Sequence, residues 1–275
     1  MKFTNIYNLP EPIVKAVTSR NHAPSETSLA VTRLIDSPLV RKLTIEHWED
    51  LVADVSEYAW SIFGQGVHHV LENYRGSGII TELYLKSHVG DYDISGIMDM
   101  MDITNSKIVD YKSTSTWKMV FKEFDDYIAQ LNIYNWLLYK NNMPTMTNLE
   151  NVLFLKDWSA NQSKRDADYP RSPIVTITHP VWPVEKTDSF IKARVKYHSQ
   201  PAKDCTPEEK WQTKTTYAVK VKGQKRAKRV FDNVVEANKE LANYSNSYVE
   251  TRPGENRRCS EYCLVRNVCP FAKRG

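Results

Sequence analysis

The order of apolar and polar positions divides the chain into separate elements. Residues 1–44 begin irregularly, and "SLAVTRLIDSPLVRKL" then predicts one or two short helices broken at Pro38. From Ile45 to about Tyr74, the residues Trp48, Leu51, Val52, Val55, Ala59, Ile62, Phe63, Val67, Val70 and Leu71 recur at helical spacing. They predict a long amphipathic helix, weakened locally at Gly64 and Gly66. Three β-rich runs follow, "IITELYLK", "YDISGIMDMM" and "KIVDYK", separated by Gly90-Asp91 and by Thr104-Asn105-Ser106, which predicts a strand meander. "FKEFDDYIAQLNIYNWLLYK" returns to helical period, residues 150–156 and 173–178 predict two further strands, and Val184 to His198 another helix. This α-β-β-β-α-β order describes an α/β fold, a mixed sheet flanked by helices.

The texture changes near Pro201. Between Lys210 and Arg229 there are eight Lys/Arg and no Asp/Glu, arranged as "YAVKV", a turn at Gly223, "KRAKRVF" and the helical "NVVEANKELANY". That predicts a small basic ββα insertion. The tail "RPGENRRCSEYCLVRNVCPFAKRG" reads as loop and holds three of the four cysteines. The expected divisions are a core with an N-terminal helical region at 1–200, the basic insertion at 201–250, and a cysteine-rich C-terminal tail at 251–275 packing with Cys205.

Composition bounds the class without choosing the function. A chain of 275 residues with 41% hydrophobic content can bury one sizeable core with an elaboration, or two small ones. The formal net charge of +4 permits a nucleic-acid partner without demanding one. The start "MKFTNIYNLPEPIVK" has no apolar targeting core, and no window approaches the roughly 20 apolar residues of a membrane span. The expectation is a soluble, cytoplasmic protein with no membrane contact. In a reducing cytosol the cysteines suit metal ligation or inert thiols better than disulfides.

The stretch "GIMDMMDITNSKIVDYK" places three aspartates and two lysines, Lys107 at the turn and Lys112 at the end, in what otherwise reads as a buried hairpin. With Asn105-Ser106 as a two-residue turn, Met101 faces Asp110 and Asp99 faces Lys112, so that Asp99, Asp110 and Lys112 share one face and Asp102 takes the other. Two carboxylates on one face repel unless a cation lies between them, and hard oxygen ligands suit Mg²⁺ or Mn²⁺. Lys112 beside them could orient a water or stabilise developing negative charge. The plain alternative is an exposed strand pair with an Asp99–Lys112 ion pair. In the preceding helix, His68 and Glu72 lie one turn apart, which suits an imidazole ligand oriented by a carboxylate or a satisfied structural histidine; His69 points elsewhere. Gln130 and Tyr134, also one turn apart, offer an amide and a phenol to one surface.

Taken in order, Gly64-x3-His68-x3-Glu72, Glu82, Gly96-x2-Asp99, Asp110-x-Lys112 and Gln130-x3-Tyr134 resemble the PD-(D/E)XK nuclease superfamily. Their spacing is similar to its RecB-type branch, with AddB-like, CRISPR-associated adaptation and phage recombination exonucleases. The resemblance covers roughly residues 28–155 and returns at the C-terminal cysteines. It implies a restriction-endonuclease-like core that hydrolyses DNA phosphodiesters with a divalent metal. By position, His68, Asp99, Asp110 and the carbonyl of Tyr111 would ligate the metal, Lys112 would position or activate water, Gln130 and Tyr134 would hold the nucleic-acid backbone or the lysine, and Glu82 resembles the acid on the strand before the hairpin.

Cys259-x3-Cys263-x5-Cys269-Pro270 resembles the cysteine triplet of iron–sulfur members of this branch, where a fourth cysteine usually precedes the core. Here no cysteine occurs before Cys205, which is left as the fourth ligand of a [4Fe–4S] cluster or, alternatively, of a Zn²⁺ site. The basic insertion, through Lys225, Arg226, Lys228 and Arg229, would track DNA phosphates unless it is only a solvated face. The leading expectation is thus a metal-dependent DNA nuclease, an exonuclease of recombination, repair or end processing. The alternative is a DNA-binding or assembly module on a nuclease fold with weak or vestigial cleavage. No Gly-x4-Gly-Lys-Ser/Thr phosphate loop is present, so any ATP-driven unwinding would come from a partner helicase, with a strand-annealing recombination protein as another partner class. An oligomer is open, as is residence in a host cytoplasm for a phage-encoded chain.

Overall fold

In a computed structural model of the chain, residues 1–19 and 22–272 are described. They fall into two units, Met1–Ala202 and Lys203–Gly275. The first opens with strand β1 (Lys2–Thr4), helix α1 (Glu11–Thr18), strand β2 (Ser28–Ala30), and helices α2 (Val31–Ile35) and α3 (Pro38–Glu46). Pro38 begins α3, where a missing N–H breaks no helical bond.

The long helix expected over Ile45–Tyr74 is divided. The chain turns after His47, passes through strand β3 (Val52–Asp54), and re-enters a helix only at α4 (Ala59–Leu71). Strand β3 pairs in parallel with β1. Asp54 fixes the break: its carboxylate accepts from Thr4 Oγ1, Ile6 N, Ser56 N and Ser56 Oγ. Those bonds, Ser56's first, hold its pKa well below the usual carboxylate range. A partner more than forty residues away in sequence overrode a helical period.

The meander follows as β4 (Ile79–Val89), β5 (Tyr92–Asp102) and β6 (Lys107–Thr114), then α5 (Thr116–Phe121), α6 (Asp125–Lys140), β7 (Asn148–Leu155), α7 (Ala160–Arg165), β8 (Ile174–His179) and α8 (Val184–Ser199). The sheet runs β2-β5-β6-β7-β8, with β4 on the other edge of β5. Strand β6 pairs with β5 only at Met100–Asp102, and β2 takes over the same edge at Asp93–Ser95. Residues 96–99 therefore lie in a fork where β6 leaves and before β2 arrives. Helix α6 is buried along most of its length and packs Leu131, Ile133, Trp136, Leu137 and Leu138 against Leu29, Leu34, Met98, Ile108, Leu149 and Ile191. The result is the mixed α/β sheet flanked by helices that the hydrophobic pattern predicts.

The second unit holds strand β9 (Thr216–Val221) at the centre of a three-stranded antiparallel sheet, between β10 (Arg229–Phe231) and β11 (Ser247–Arg252), with helix α9 (Val234–Glu240) packed on β9. Strand β11 is an addition to the ββα reading, and it straddles residue 250. Among the described residues no helix is long and apolar enough to cross a membrane.

Candidate active site

The hairpin joining β5 and β6 turns through four residues, not two. Asp102 pairs with Lys107 across it, and the Asp102 carboxylate accepts from Asn105 N and Asn105 Nδ2, closing an Asx turn. The register is thus displaced by two residues from the expected one: Met101 faces Ile108, not Asp110. Because the displacement is even, Asp110 and Lys112 keep their common side of β6, while Asp99 lies just past the last bridge of the ladder, in the fork. Asp102 is spent on the turn.

In the fork, Asp99 Oδ2 accepts from the backbone N–H of Tyr111 at 2.7 Å, and Asp99 Oδ1 lies 3.2 Å from His68 Nδ1. The His68 ring contacts the Tyr111 ring edge-on. One turn earlier on α4, Gly64 sits against Ser113 Oγ, so the helix lies close to β6 where His68 reaches the acids. The hydrogen bond to Asp99 raises the His68 pKa despite burial. Glu72 does not orient His68; its Oε1 is 2.7 Å from His69 Nδ1 on the exposed side. The i,i+3 partner won because His69 turns outward with Glu72.

Glu82 joins this group from β4. Thr81 and Leu83 pair with Met100 and Met98, which sets Glu82 across from Asp99, and its φ of +53° departs from the strand conformation there. A non-glycine residue held in the left-handed region costs on the order of 1–3 kcal/mol and persists where surroundings over-determine it. Ligand atoms of His68, Glu82 and Asp99 all lie within 4.8 Å of one another, the sole such histidine, cysteine or acid group among the described residues. Desolvation, Asp99 and Glu72 together raise the Glu82 pKa, the signature of anionic groups crowded around a place for a cation.

Asp110 is set apart by its surroundings. It is 1% exposed, and its oxygens take Lys112 Nζ at 2.7 and 2.8 Å, Gln130 Nε2 at 3.0 Å and Asn151 Nδ2 at 2.7 Å. Burial pushes its pKa up to about 6 against the pull of Lys112, with the Asp99 charge adding to the rise. Gln130 also donates to the Tyr134 hydroxyl at 2.9 Å, and Tyr134 fills the space over Gly96, where a Cβ would come within 2.5 Å of its ring. The Gly96-x2-Asp99 spacing thus leaves room for the tyrosine that backs the glutamine. Lys112 and Lys118 Nζ lie over the Tyr127 ring at 5.7 and 4.0 Å.

Asn151 and His179 escaped sequence reasoning. Asn151 is fully buried on β7, and His179 Nε2 donates to its Oδ1 at 2.8 Å, which fixes the amide so that Nδ2 points at Asp110. The signal was present: Asn151 occupies the inward stripe with Leu149, Leu153 and Leu155, and a polar residue in such a stripe needs a partner.

In the second unit, backbone bonds from Arg258 N to Lys210 O and from Thr213 N to Glu255 O tie the segment after Cys205 to the segment before Cys259. Lys210 feels the charges of both Cys259 and Cys205, and burial pushes the Cys263 thiol pKa up, with Cys259 and Cys269 adding to the rise. The four cysteines therefore gather in one region. Lys225, Arg226 and Lys228 are exposed around the β9–β10 turn, and Arg229 lies 3.7 Å from Glu240.

The molecule is thus a mixed α/β sheet that collects acids, a histidine and a lysine where two strands part, a site type suited to hydrolysis of phosphoryl esters. The family model of the PD-(D/E)XK nuclease superfamily matches residues 17–270, and the chain belongs to that superfamily. Among solved structures, the crystal structure of SSO0001 is similar in fold, at 16% identity and a TM-score of 0.50, over 95% of this chain and 94% of that one. A phage related exonuclease from Haemophilus somnus 129PT matches 68% of this chain and 76% of its own at 12% identity and a TM-score of 0.31. No curated protein matches.

Proposed function

We propose that this nuclease is a divalent-metal-dependent deoxyribonuclease that works as an exonuclease in recombination, repair or end processing. The observation that carries the hydrolytic reading is the meeting of Lys112, held by buried Asp110, with the His68–Glu82–Asp99 group at the fork. The donor set fits Mg²⁺ or Mn²⁺, being mostly hard oxygens with one imidazole. His68, Glu82 and Asp99 would hold the ion, with Asp110 and the Tyr111 carbonyl beside them. When bound, the ion polarises the phosphoryl group and lowers the pKa of water.

The chain's own residues supply the rest. Lys112 offers a fixed cation to an attacking water and to charge that develops on the phosphate oxygens. Gln130 and Asn151 keep the Asp110 carboxylate aimed at Lys112 Nζ, and Tyr134 backs Gln130. The exonuclease reading rests on the motif order that resembles the RecB-type branch. Basic residues Lys225, Arg226, Lys228 and Arg229 would follow the DNA backbone. A helicase or strand-annealing protein would supply strand opening.

For the cysteines we favour a [4Fe–4S] cluster held by Cys205, Cys259, Cys263 and Cys269. What supports the cluster is the resemblance of the Cys259-Cys263-Cys269 triplet to iron–sulfur members of the branch; its role would be structural, and a tetrahedral Zn²⁺ site on the same thiolates is the alternative.

The test is degradation of end-labelled linear DNA in Mg²⁺ or Mn²⁺, with a visible absorption spectrum of the anaerobically purified protein. Asp110→Ala and Lys112→Ala are expected to lose activity by about 10²–10³-fold or more. Variants as active as the wild type would remove the site, and a wild type that binds DNA without cutting would leave a binding module on a nuclease fold.

A further inference from the structure

Four large rings stand exposed beside the site, and the core does not use them. On α4, Trp60, Gly64 and His68 recur every four residues and so share one face, with Trp60 about 12 Å of helix rise from His68. Trp60 and Phe63 are 60% and 45% exposed, their rings edge-on at 6.3 Å. Helix α5 begins four residues beyond Lys112 and presents Trp117 and Phe121, 50% and 64% exposed, stacked at 5.8 Å with 23° between planes.

The two pairs border one place. Lys156, just past β7, lays its Nζ 4.6 Å over the Trp60 ring, and its neighbour Asp157 accepts from Ser115 Oγ and Thr116 N at the start of α5. The Lys156 N–H in turn bonds the Thr114 carbonyl at the end of β6. The rings thus line the carboxyl ends of β6 and β7, the edge at which open α/β sheets take ligands. Lysines 112, 118 and 156 are interleaved with them.

We propose that Trp60, Phe63, Trp117 and Phe121 form a stacking platform for unpaired nucleobases of the strand being cut, so that single-stranded or frayed ends are taken in preference to intact duplex. This rests on the nuclease reading of the same site. A base in a duplex has its faces covered by its neighbours and can offer a ring only its edge. An unpaired base can lie flat on indole or phenyl, and every base has a face to offer. The interleaved lysines provide for the phosphates between bases. Exposed rings clustered without that use would be an aggregation liability.

The experiment uses the full chain in EDTA, so that binding is read without cleavage. The probes are a labelled single-stranded oligonucleotide, the same strand with consecutive abasic positions, and a blunt hairpin duplex. The intact strand is expected to bind more tightly than the abasic one and to quench tryptophan fluorescence. Trp60→Ala and Trp117→Ala should each weaken it on the order of 10-fold while leaving the duplex unchanged. Trp117→Phe, which keeps a ring, should retain most of the affinity. Equal affinity for intact and abasic strands, or alanine variants that bind as the wild type does, would overturn the platform and leave the patch as a protein-docking face. With cleavage read in parallel on the same oligonucleotides in Mg²⁺ or Mn²⁺, base-dependent binding without any cleavage would sink the nuclease reading alone, and cleavage with base-independent binding would sink the platform alone.

Discussion

The two units differ in what holds them together. In Met1–Ala202, α6 alone buries a run of large side chains, and the core it belongs to joins residues from five strands and three helices. In Lys203–Gly275, the buried apolar residues among those described are Ala218, Val219, Ala237 and Val265. Side chains so few and so small remove little apolar surface from water. A domain of that size rarely gains more than about 3–5 kcal/mol from its core and commonly relies on a staple. On the proposed reading the four cysteines would supply the ligands for one, which would leave the first unit stabilised by packing and the second by chemistry.

The largest expected effect breaks the second unit alone. Replacing Cys259, Cys263 and Cys269 by Ser should abolish its independent stability, since metal-binding free energy is folding free energy in such modules. Hydrogen exchange should then show residues 203–272 near unprotected while α6 keeps its protection. Equal protection in both units would refute the staple.

The converse lesion addresses packing. Gly96→Ala drives a Cβ to within 2.5 Å of the Tyr134 ring, an overpacking worth about 1–3 kcal/mol. Denaturant unfolding should show that loss in the first unit. Cleavage should fall with it, because Tyr134 backs the Gln130 that holds Asp110.

The smallest effect is a pH dependence confined to the first unit. Burial, aided by Arg194 and Arg41, pushes His198 down to about 4 from its ordinary 6.5, while its Nε2 donates to Leu34 O. Between those values the unfolded chain binds a proton that the folded chain refuses. The stability from neutral His198 is therefore present above pH 6.5 and is lost as pH falls toward 4. Asp110, raised to about 6, acts in the opposite sense, holding its proton in the folded chain, so the wild-type profile mixes both. The comparison that isolates His198 is His198→Gln. Between pH 7.5 and 5 the wild type should lose about 2 kcal/mol more than this variant, a Tm difference of roughly 4–8 °C. Identical profiles would show that His198 does not titrate as its burial implies.

Much of the site was legible because its chemistry is carried by residue type. Asp99, Asp110 and Lys112 betrayed themselves as charges in a hydrophobic hairpin, and their even spacing survived a register displaced by two. Gln130 was legible as a polar group sharing one helical surface with Tyr134, but its hydrogen bond to Asp110 was not. Glu72 failed because neighbouring histidines offered it two partners, and sequence spacing cannot tell which side chain turns outward. The helix over Ile45–Tyr74 failed because helical periodicity also fits a strand and a turn when a distant strand, Lys2–Thr4, supplies the pairing.

By itself the sequence determined the order of elements from β4 to α6, the family and which acids, histidine and lysine are candidates for the site, because hydrophobic period and side-chain chemistry are local properties. Tertiary structure alone decided that β6 and β2 share one edge of β5, that Glu82 twists out of its strand opposite Asp99, and that Asn151, held by His179, bonds Asp110. These are meetings of residues tens of positions apart. They depend on packing and on the satisfaction of buried polar groups, which no local pattern encodes.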